Sequence, residues 1–306
     1  MDHTDTSVRP YSFKAWMACA RPKTWGIAIA PVAVGLACAL VDQGSIDPIV
    51  AIATVLLSIL MQAISNMEND AGYTKRKAER SNRKGLPRAT AKGWLSVDSV
   101  EKAIKVLGVL VVLDTLFLIY VGGFVMAGIS LGSIIAAYCY MGGPKPIAYT
   151  PFGEFVVFLF FGLVAVCGTY YLQTHTVSMT TLLISAAIGC IAGAVLAVNN
   201  YRDLEHDASI GRQTLAVLLK KKAMQSCFNL MIGLPFALIV VVVALHNDLY
   251  PLFICFLAFS KGYSLMKTLP KKEGLELNAV MFNTIKLELI FSLLVTIGCV
   301  LAFLMN

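Results

Sequence analysis

The sequence predicts an all-α, polytopic membrane protein, and three observations carry that prediction. The chain of 306 residues is 58% apolar and only 14% charged, against about 25% charged residues in ordinary soluble domains. Its apolar runs are apolar all round, each close to the roughly 20 residues that cross a bilayer. In lipid, backbone polar groups must be satisfied within the segment, and for runs of this kind only a helix achieves that.

Nine spans are expected, near 24–41, 47–65, 103–120, 121–140, 153–172, 180–198, 228–245, 249–268 and 286–305. The third and fourth meet softly at Gly122 and Gly123. No low-complexity linker divides the chain, so residues 1–306 read as a single transmembrane domain. The first run is long and follows 20-odd residues, unlike a cleavable leader.

The cations set the orientation. Arg9, Lys14, Arg21 and Lys23 precede or open the first span, and ten more lie between Lys75 and Lys105. Lys145 follows the fourth span, and Arg202, Arg212 and Lys220 to Lys222 follow the sixth. Lys261, Lys267, Lys271, Lys272 and Lys286 surround the last connection. The loops on the opposite side, 42–46, 122–123, 173–179 and 246–248, hold none of the 25 Lys and Arg. The positive-inside rule then puts the N-terminus and the long loops in the cytoplasm, with the chain in the cytoplasmic (inner) membrane. This asymmetry also explains the net charge of +7 without nucleic acid as a partner. The eight cysteines are scattered through or beside apolar segments, and the four histidines are isolated. Neither set reads as a disulfide or zinc framework.

Two polar islands break the apolar pattern. In the second, Asn199, Asp203 and Asp207 recur every four residues, which on a helix stacks them on one face. Two carboxylates and an amide in a row form a site for a hard divalent cation, which normally arrives with a phosphate to neutralise. The alternative, anchoring and solvation at a helix end, would leave these groups repelling one another beside lipid. The first island runs from Ser65 to Ala89, and both islands begin with asparagines at the end of an even-numbered span. Asn69 and Asn199 lie 130 residues apart. That is a weak sign of an internal duplication, with two motif loops opposed across a bundle.

The segment Asn-Asn-Tyr-Arg-Asp-Leu-Glu-His-Asp at 199–207, followed by Gly-Arg-Gln-Thr-Leu-Ala at 211–216, resembles the second aspartate-rich motif of the UbiA superfamily of intramembrane prenyltransferases. Three further segments resemble its 1,4-dihydroxy-2-naphthoate polyprenyltransferase branch, which serves menaquinone synthesis. They are Ala-Arg-Pro-Lys-Thr at 20–24 with Ala-Pro-Val-Ala-Val-Gly at 30–35, Gly-Gly-Pro-Lys-Pro-Ile-Ala-Tyr at 142–149, and the aromatic stretch 158–171. The likeness covers most of the chain in the right order. It implies a nine-helix fold and Mg²⁺-dependent transfer from a polyprenyl diphosphate to an aromatic acid, with membrane lipid as surroundings. Protein partners are not specified.

The resemblance also distributes roles. Asp203, Asp207 and Asn199 would hold Mg²⁺, and Asp70 with Asn69 or Asn66 would supply the other motif. Arg212 and Lys77 are candidate diphosphate contacts, and Lys145 and Tyr149 would lie beside the acceptor, on a connection stiffened by two prolines. Arg21 and Lys23 either reach phosphate or anchor the first helix. Lys261 and Lys286 lie within or at the edge of spans, where a charge is costly unless it finds a partner.

The first motif departs from the family pattern Asn-Asp-x-x-Asp-x-x-x-Asp. Asn69 and Asp70 fit, but Tyr73 and Lys77 stand where carboxylates are expected. Three readings follow. Asp70 binds metal with Glu68 or Glu79. Alternatively Lys77 or Arg76 replaces a metal as a fixed cation on the diphosphate. The third is an enzyme that has lost activity, or a protein that binds an isoprenoid without transferring it. The reaction expected is prenylation and decarboxylation of 1,4-dihydroxy-2-naphthoate to demethylmenaquinone. Another acceptor such as 4-hydroxybenzoate, or a non-catalytic isoprenoid-binding membrane protein, are the alternatives. A transporter would put its charges near the bilayer midplane, whereas these cluster at one face.

Overall fold

The computed structural model describes residues 8–75, 88–141 and 146–305, and for Tyr73 and Met141 the backbone alone. Ten α-helices occur among the described residues, with no strand: α1 Phe13–Ala20, α2 Trp25–Gln43, α3 Pro48–Lys75, α4 Val97–Met141, α5 Gly153–Val157, α6 Gly168–Thr174, α7 Met179–Ser209, α8 Leu215–Leu245, α9 Phe259–Thr268 and α10 Leu277–Met305. A π-helical stretch, Phe158–Cys167, joins α5 to α6, and a 3₁₀ stretch, Asn247–Ala258, leads into α9. Helix starts follow local chemistry. Asp47 caps α3 through bonds from the Ile49 and Val50 amides, at 2.8 and 3.1 Å, with Pro48 at the first position, where its missing N–H costs nothing. Ser178 caps α7 by accepting from the Thr181 amide at 3.1 Å.

Among the described residues, eight helical stretches are long and apolar enough to cross a membrane, one fewer than the sequence suggests. The difference lies in α4. Its 45 residues would run about 68 Å at 1.5 Å per residue, twice a hydrocarbon core of about 30 Å. The third and fourth expected spans both fall within it. A single residue, Gly123 at φ 62° and ψ −149°, interrupts the helix without an intervening loop. Only glycine adopts that conformation cheaply.

The chain forms two compact units. The first comprises residues up to Ile29 with Ile52–Tyr120, and the second Ala30–Ala51 with the chain from Val121 onward. The first unit has its own small core of Ala15, Cys19, Met67, Ala71, Trp94, Leu95 and Val100. In the second, α7 is the most enclosed span, with 72% of its apolar window buried against 44% or less elsewhere. Two glycines make that enclosure tight. A Cβ on Gly162 would lie 2.5 Å from Gly189 Cα, and a Cβ on Gly189 would lie 2.6 Å from the Phe158 carbonyl oxygen. Small residues at a helix crossing let backbones touch, the usual means of association where no hydrophobic force separates helix from lipid. The second polar motif is thereby carried on the most firmly held element of its unit.

Candidate functional site

In the first unit, two motif residues are spent on local architecture. The Asn66 amide donates to the Ala20 carbonyl at 3.0 Å and to the Thr24 hydroxyl at 2.9 Å. The Trp25 indole donates to the same carbonyl at 3.0 Å. The corner from Ala20 to Thr24 therefore turns at Arg21, a non-glycine residue at φ 52°, with Asn66 as its clamp. Arg21 Nε and Nη2 are buried without a hydrogen-bond partner among the described residues. Asp70 is fully buried. Its Oδ2 accepts from the Ala89 amide and its Oδ1 from the Thr90 amide, both at 2.9 Å. The Thr90 hydroxyl lies 2.6 Å from the same Oδ1, and Thr74 joins that hydroxyl at 2.7 Å. The carboxylate thus fixes the segment that returns to α4, while a carboxylate's four lone-pair sites leave capacity beyond these three bonds. Asn69 and Glu68 are exposed at the end of α3. Lys77, Arg76 and Glu79 lie outside the described residues, and the same holds for Lys145.

In the second unit, Asn199, Asp203 and Asp207 lie on α7, as their period requires. Arg202 links the first two. Its Nε and Nη2 bond both oxygens of Asp203, at 3.0 and 2.6 Å, and Nη2 also reaches Asn199 Oδ1 at 2.7 Å. Its Nη1 donates to Asn278 Oδ1 on α10 at 2.6 Å. A planar guanidinium matches a carboxylate in this two-pronged way, and such charge-assisted bonds are the strong ones.

Asp207 is more enclosed than Asp203, its side chain 3% exposed against 34%. Arg212 Nη1 approaches Asp207 Oδ1 at 3.2 Å, and the Arg212 amide bonds the Asp207 carbonyl at 2.9 Å. The Arg212 guanidinium also stacks 4.2 Å from the centre of the Tyr149 ring. Burial disfavours its charge, but Tyr149 and Asp207 more than offset that, holding the guanidinium above its ordinary range. The Gln213 amide closes the joint by donating to the Tyr149 carbonyl at 2.9 Å. Tyr149, Arg212 and Asp207 are thus brought together.

A buried pair flanks this group. Glu154, 1% exposed at the start of α5, accepts from the Asn200 amide at 2.9 Å, and its other oxygen has no partner among the described residues. The sequence signals for Glu154 and Asn278 are weak, because each lies far along the chain from the helix face it meets. Arg202 was visible in the motif, but its grip on Asn199 and Asp203 was not.

The donor set suits a hard cation. Among the described residues, no group of three His, Cys, Asp or Glu side chains converges. The row therefore offers two carboxylates and an amide. Mg²⁺ is commonly held by one or two carboxylates, with water and substrate phosphate completing the shell.

Comparison with known proteins decides the family. A model described as the UbiA prenyltransferase family matches residues 28–285. The chain belongs to that family. UbiA-family relatives include the 1,4-dihydroxy-2-naphthoate octaprenyltransferase of Escherichia coli, 36% identical over 67% of this chain and 68% of that protein. The Bacillus subtilis protein of the same name is 27% identical over 92% of this chain and 91% of its own length. A solved UbiA homologue from Archaeoglobus fulgidus, bound to GPP and Mg²⁺, covers 94% of this chain and 99% of its own at 15% identity, with a TM-score of 0.66. At that identity the structural likeness speaks for the fold alone. The protein is thus a multi-pass, all-helical prenyltransferase of the UbiA type.

Proposed function

We propose that this protein transfers a polyprenyl group from its diphosphate to 1,4-dihydroxy-2-naphthoate, releasing CO₂ and diphosphate and giving demethylmenaquinone. The observation that carries this reading is the identity of 36% across two thirds of the chain with the Escherichia coli octaprenyltransferase of that acceptor. Asp203, Asp207 and Asn199 would hold Mg²⁺; Asp70, assigned to the first motif, keeps lone pairs beyond its three structural bonds. When bound, the metal stabilises negative charge on the departing diphosphate.

The chain's own groups do the rest. Arg212 is stacked on Tyr149 and keeps its Nε unpartnered among the described residues, a donor for a diphosphate oxygen. Asn69 and Lys77 are assigned to diphosphate, and the buried, unpartnered nitrogens of Arg21 suit an anion too, whereas Asn66 has both amide hydrogens committed to Ala20 and Thr24. Lys145 and Tyr149 are assigned to the acceptor. The electron-rich ring carbon attacks C1 of the allylic chain as the carbon–oxygen bond to diphosphate breaks. Loss of CO₂ from that ring carbon restores aromaticity. The apolar spans exclude water from the allylic cation. The distribution of Lys and Arg supports a site on the cytoplasmic face of the inner membrane.

The test is the purified protein with Mg²⁺, a polyprenyl diphosphate and a panel of aromatic acids, read by mass spectrometry. A prenylated, decarboxylated naphthoate is expected. Product from 4-hydroxybenzoate alone would transfer the assignment to that acceptor, and tight diphosphate binding without any product would indicate an isoprenoid-binding protein. Turnover unchanged by Asp203→Ala with Asp207→Ala would remove the metal assignment.

A further inference from the structure

Lys261 stands apart from the chemistry above. It lies inside the apolar stretch Asn247–Lys271, where an ammonium is costly unless something answers its charge. Among the described residues it has no ion-pair partner. It borders an open groove of about 240 Å³ between α9 and α10, whose other polar walls are Ser264, Thr268, Lys272, Glu276 and Asn283. Among the described residues only one carboxylate lines this space, and it is already engaged: Glu276 lies 3.1 Å from Lys272. The charge in the groove is therefore cationic by one unit. The amide of Asn283 and the hydroxyl of Ser264 donate no hydrogen bond within the described residues, so the groove holds unused donors beside its unanswered cation.

The surroundings say what kind of anion fits. The same stretch exposes Leu257 (73%), Phe259 (45%) and Tyr263 (48%), which in a spanning segment contact lipid tails. Lys267 sits 4.4 Å from the Tyr263 ring, so the aromatic surface leads straight to a cation. An occupant needs a phosphate for Lys261 and Lys272, polar atoms for Ser264, Thr268 and Asn283, and apolar chains for the exposed flank. We infer that the α9–α10 groove binds the phosphate headgroup of an anionic membrane phospholipid. The inference is independent of which aromatic acid the enzyme prenylates.

The full-length protein, transferred into nanodiscs containing equal phosphatidylglycerol and phosphatidylcholine of matched chains, provides the test. Native mass spectrometry of the released protein should show phosphatidylglycerol retained in preference. The preference should fall about fivefold for each lysine removed in Lys261→Gln and Lys272→Gln, the usual worth of one basic side chain at an anionic surface. Lys261→Arg should keep it, which guards against a Gln variant that folds poorly. Lys222→Gln, at an exposed lysine outside the groove, should also keep it. Equal retention of both lipids, or a double variant with undiminished preference, would overturn the inference. Lys261 should further be protected from amine acylation by phosphatidylglycerol. Equal protection by inorganic phosphate in pure phosphatidylcholine would overturn the lipid assignment.

Discussion

Arg202 occupies both oxygens of Asp203 while reaching Asn199 with the same nitrogen, at 2.6 to 3.0 Å throughout. Two of the three groups in the row expected to coordinate a divalent ion are therefore held by an internal cation. A metal must displace that guanidinium or share the outward lone pairs it leaves. Hydrogen bonds to charged groups contribute about 1.5–3 kcal/mol, so Arg202→Gln should lower the Mg²⁺ concentration for half-maximal activity by about tenfold or more. Titration of turnover against Mg²⁺ measures this, and an unchanged midpoint would mean that Arg202 does not compete for these oxygens.

Removal of divalent ions should abolish transfer. Excess chelator is expected to bring product formation to background, and added Mg²⁺ to restore it, with the helical circular dichroism unchanged throughout. Loss of helix on chelation would show the ion to be structural.

The stack of Arg212 on Tyr149 is a second measurable joint. Tyr149→Phe keeps the ring and should reduce thermal stability less than Tyr149→Ala, which removes a cation–π contact worth about 0.5–2 kcal/mol. Arg212→Lys keeps the charge but loses the planar fork. It should weaken diphosphate affinity several-fold, as read from the KM for the prenyl donor.

Asp70 and Thr90 form a bonded unit in the first polar motif. Thr90→Val removes the hydroxyl bond to Asp70, at about 1 kcal/mol, and leaves the Thr74 hydroxyl only its bond to the Asp70 carbonyl at 3.3 Å. Asp70→Asn should cost more, because the Ala89 and Thr90 amides then compete for a weaker acceptor. In the double variant the losses should be smaller than their sum, since the two residues share one network. Denaturation in detergent measures each, and strict additivity would show that the contact contributes nothing.

The crossing of the π-helical stretch with α7 predicts a packing failure. Gly189→Ala puts a methyl carbon where the nearest carbonyl oxygen is 2.6 Å away, and the obstruction is backbone. Overpacking of this kind costs about 1–3 kcal/mol. A marked drop in folded yield and melting temperature is expected, whereas Gly128→Ala meets nothing within 4 Å and should be tolerated.

Much of the architecture was legible because its causes are local. Spans follow from unbroken apolar runs, and the row Asn199, Asp203 and Asp207 follows from helical period alone. The glycines at 122 and 123 announced a soft boundary, but not that a single residue would make the break inside one long helix. What escaped reading depends on distant parts of the chain. Resemblance to the family's first motif assigned Asp70 to the metal, but did not show that its carboxylate also accepts from residues 19 and 20 positions later. Asn278 reaches Arg202 across 76 positions, and Glu154 meets Asn200 across 46. No periodicity encodes such pairs. The π-helical stretch gave no signal either, because its ten residues read as an ordinary apolar run.

The pairing of Arg202 and Arg212 with Asp203 and Asp207 bears on how such a protein can be made at all. A newly synthesised chain must pack its helices before any substrate is bound. Bare carboxylates at the end of α7 would then resist the close approach of α8 and α10. With an arginine beside each aspartate, the helices can assemble with their charges already answered. Helix assembly then needs no external cation to neutralise the two aspartates.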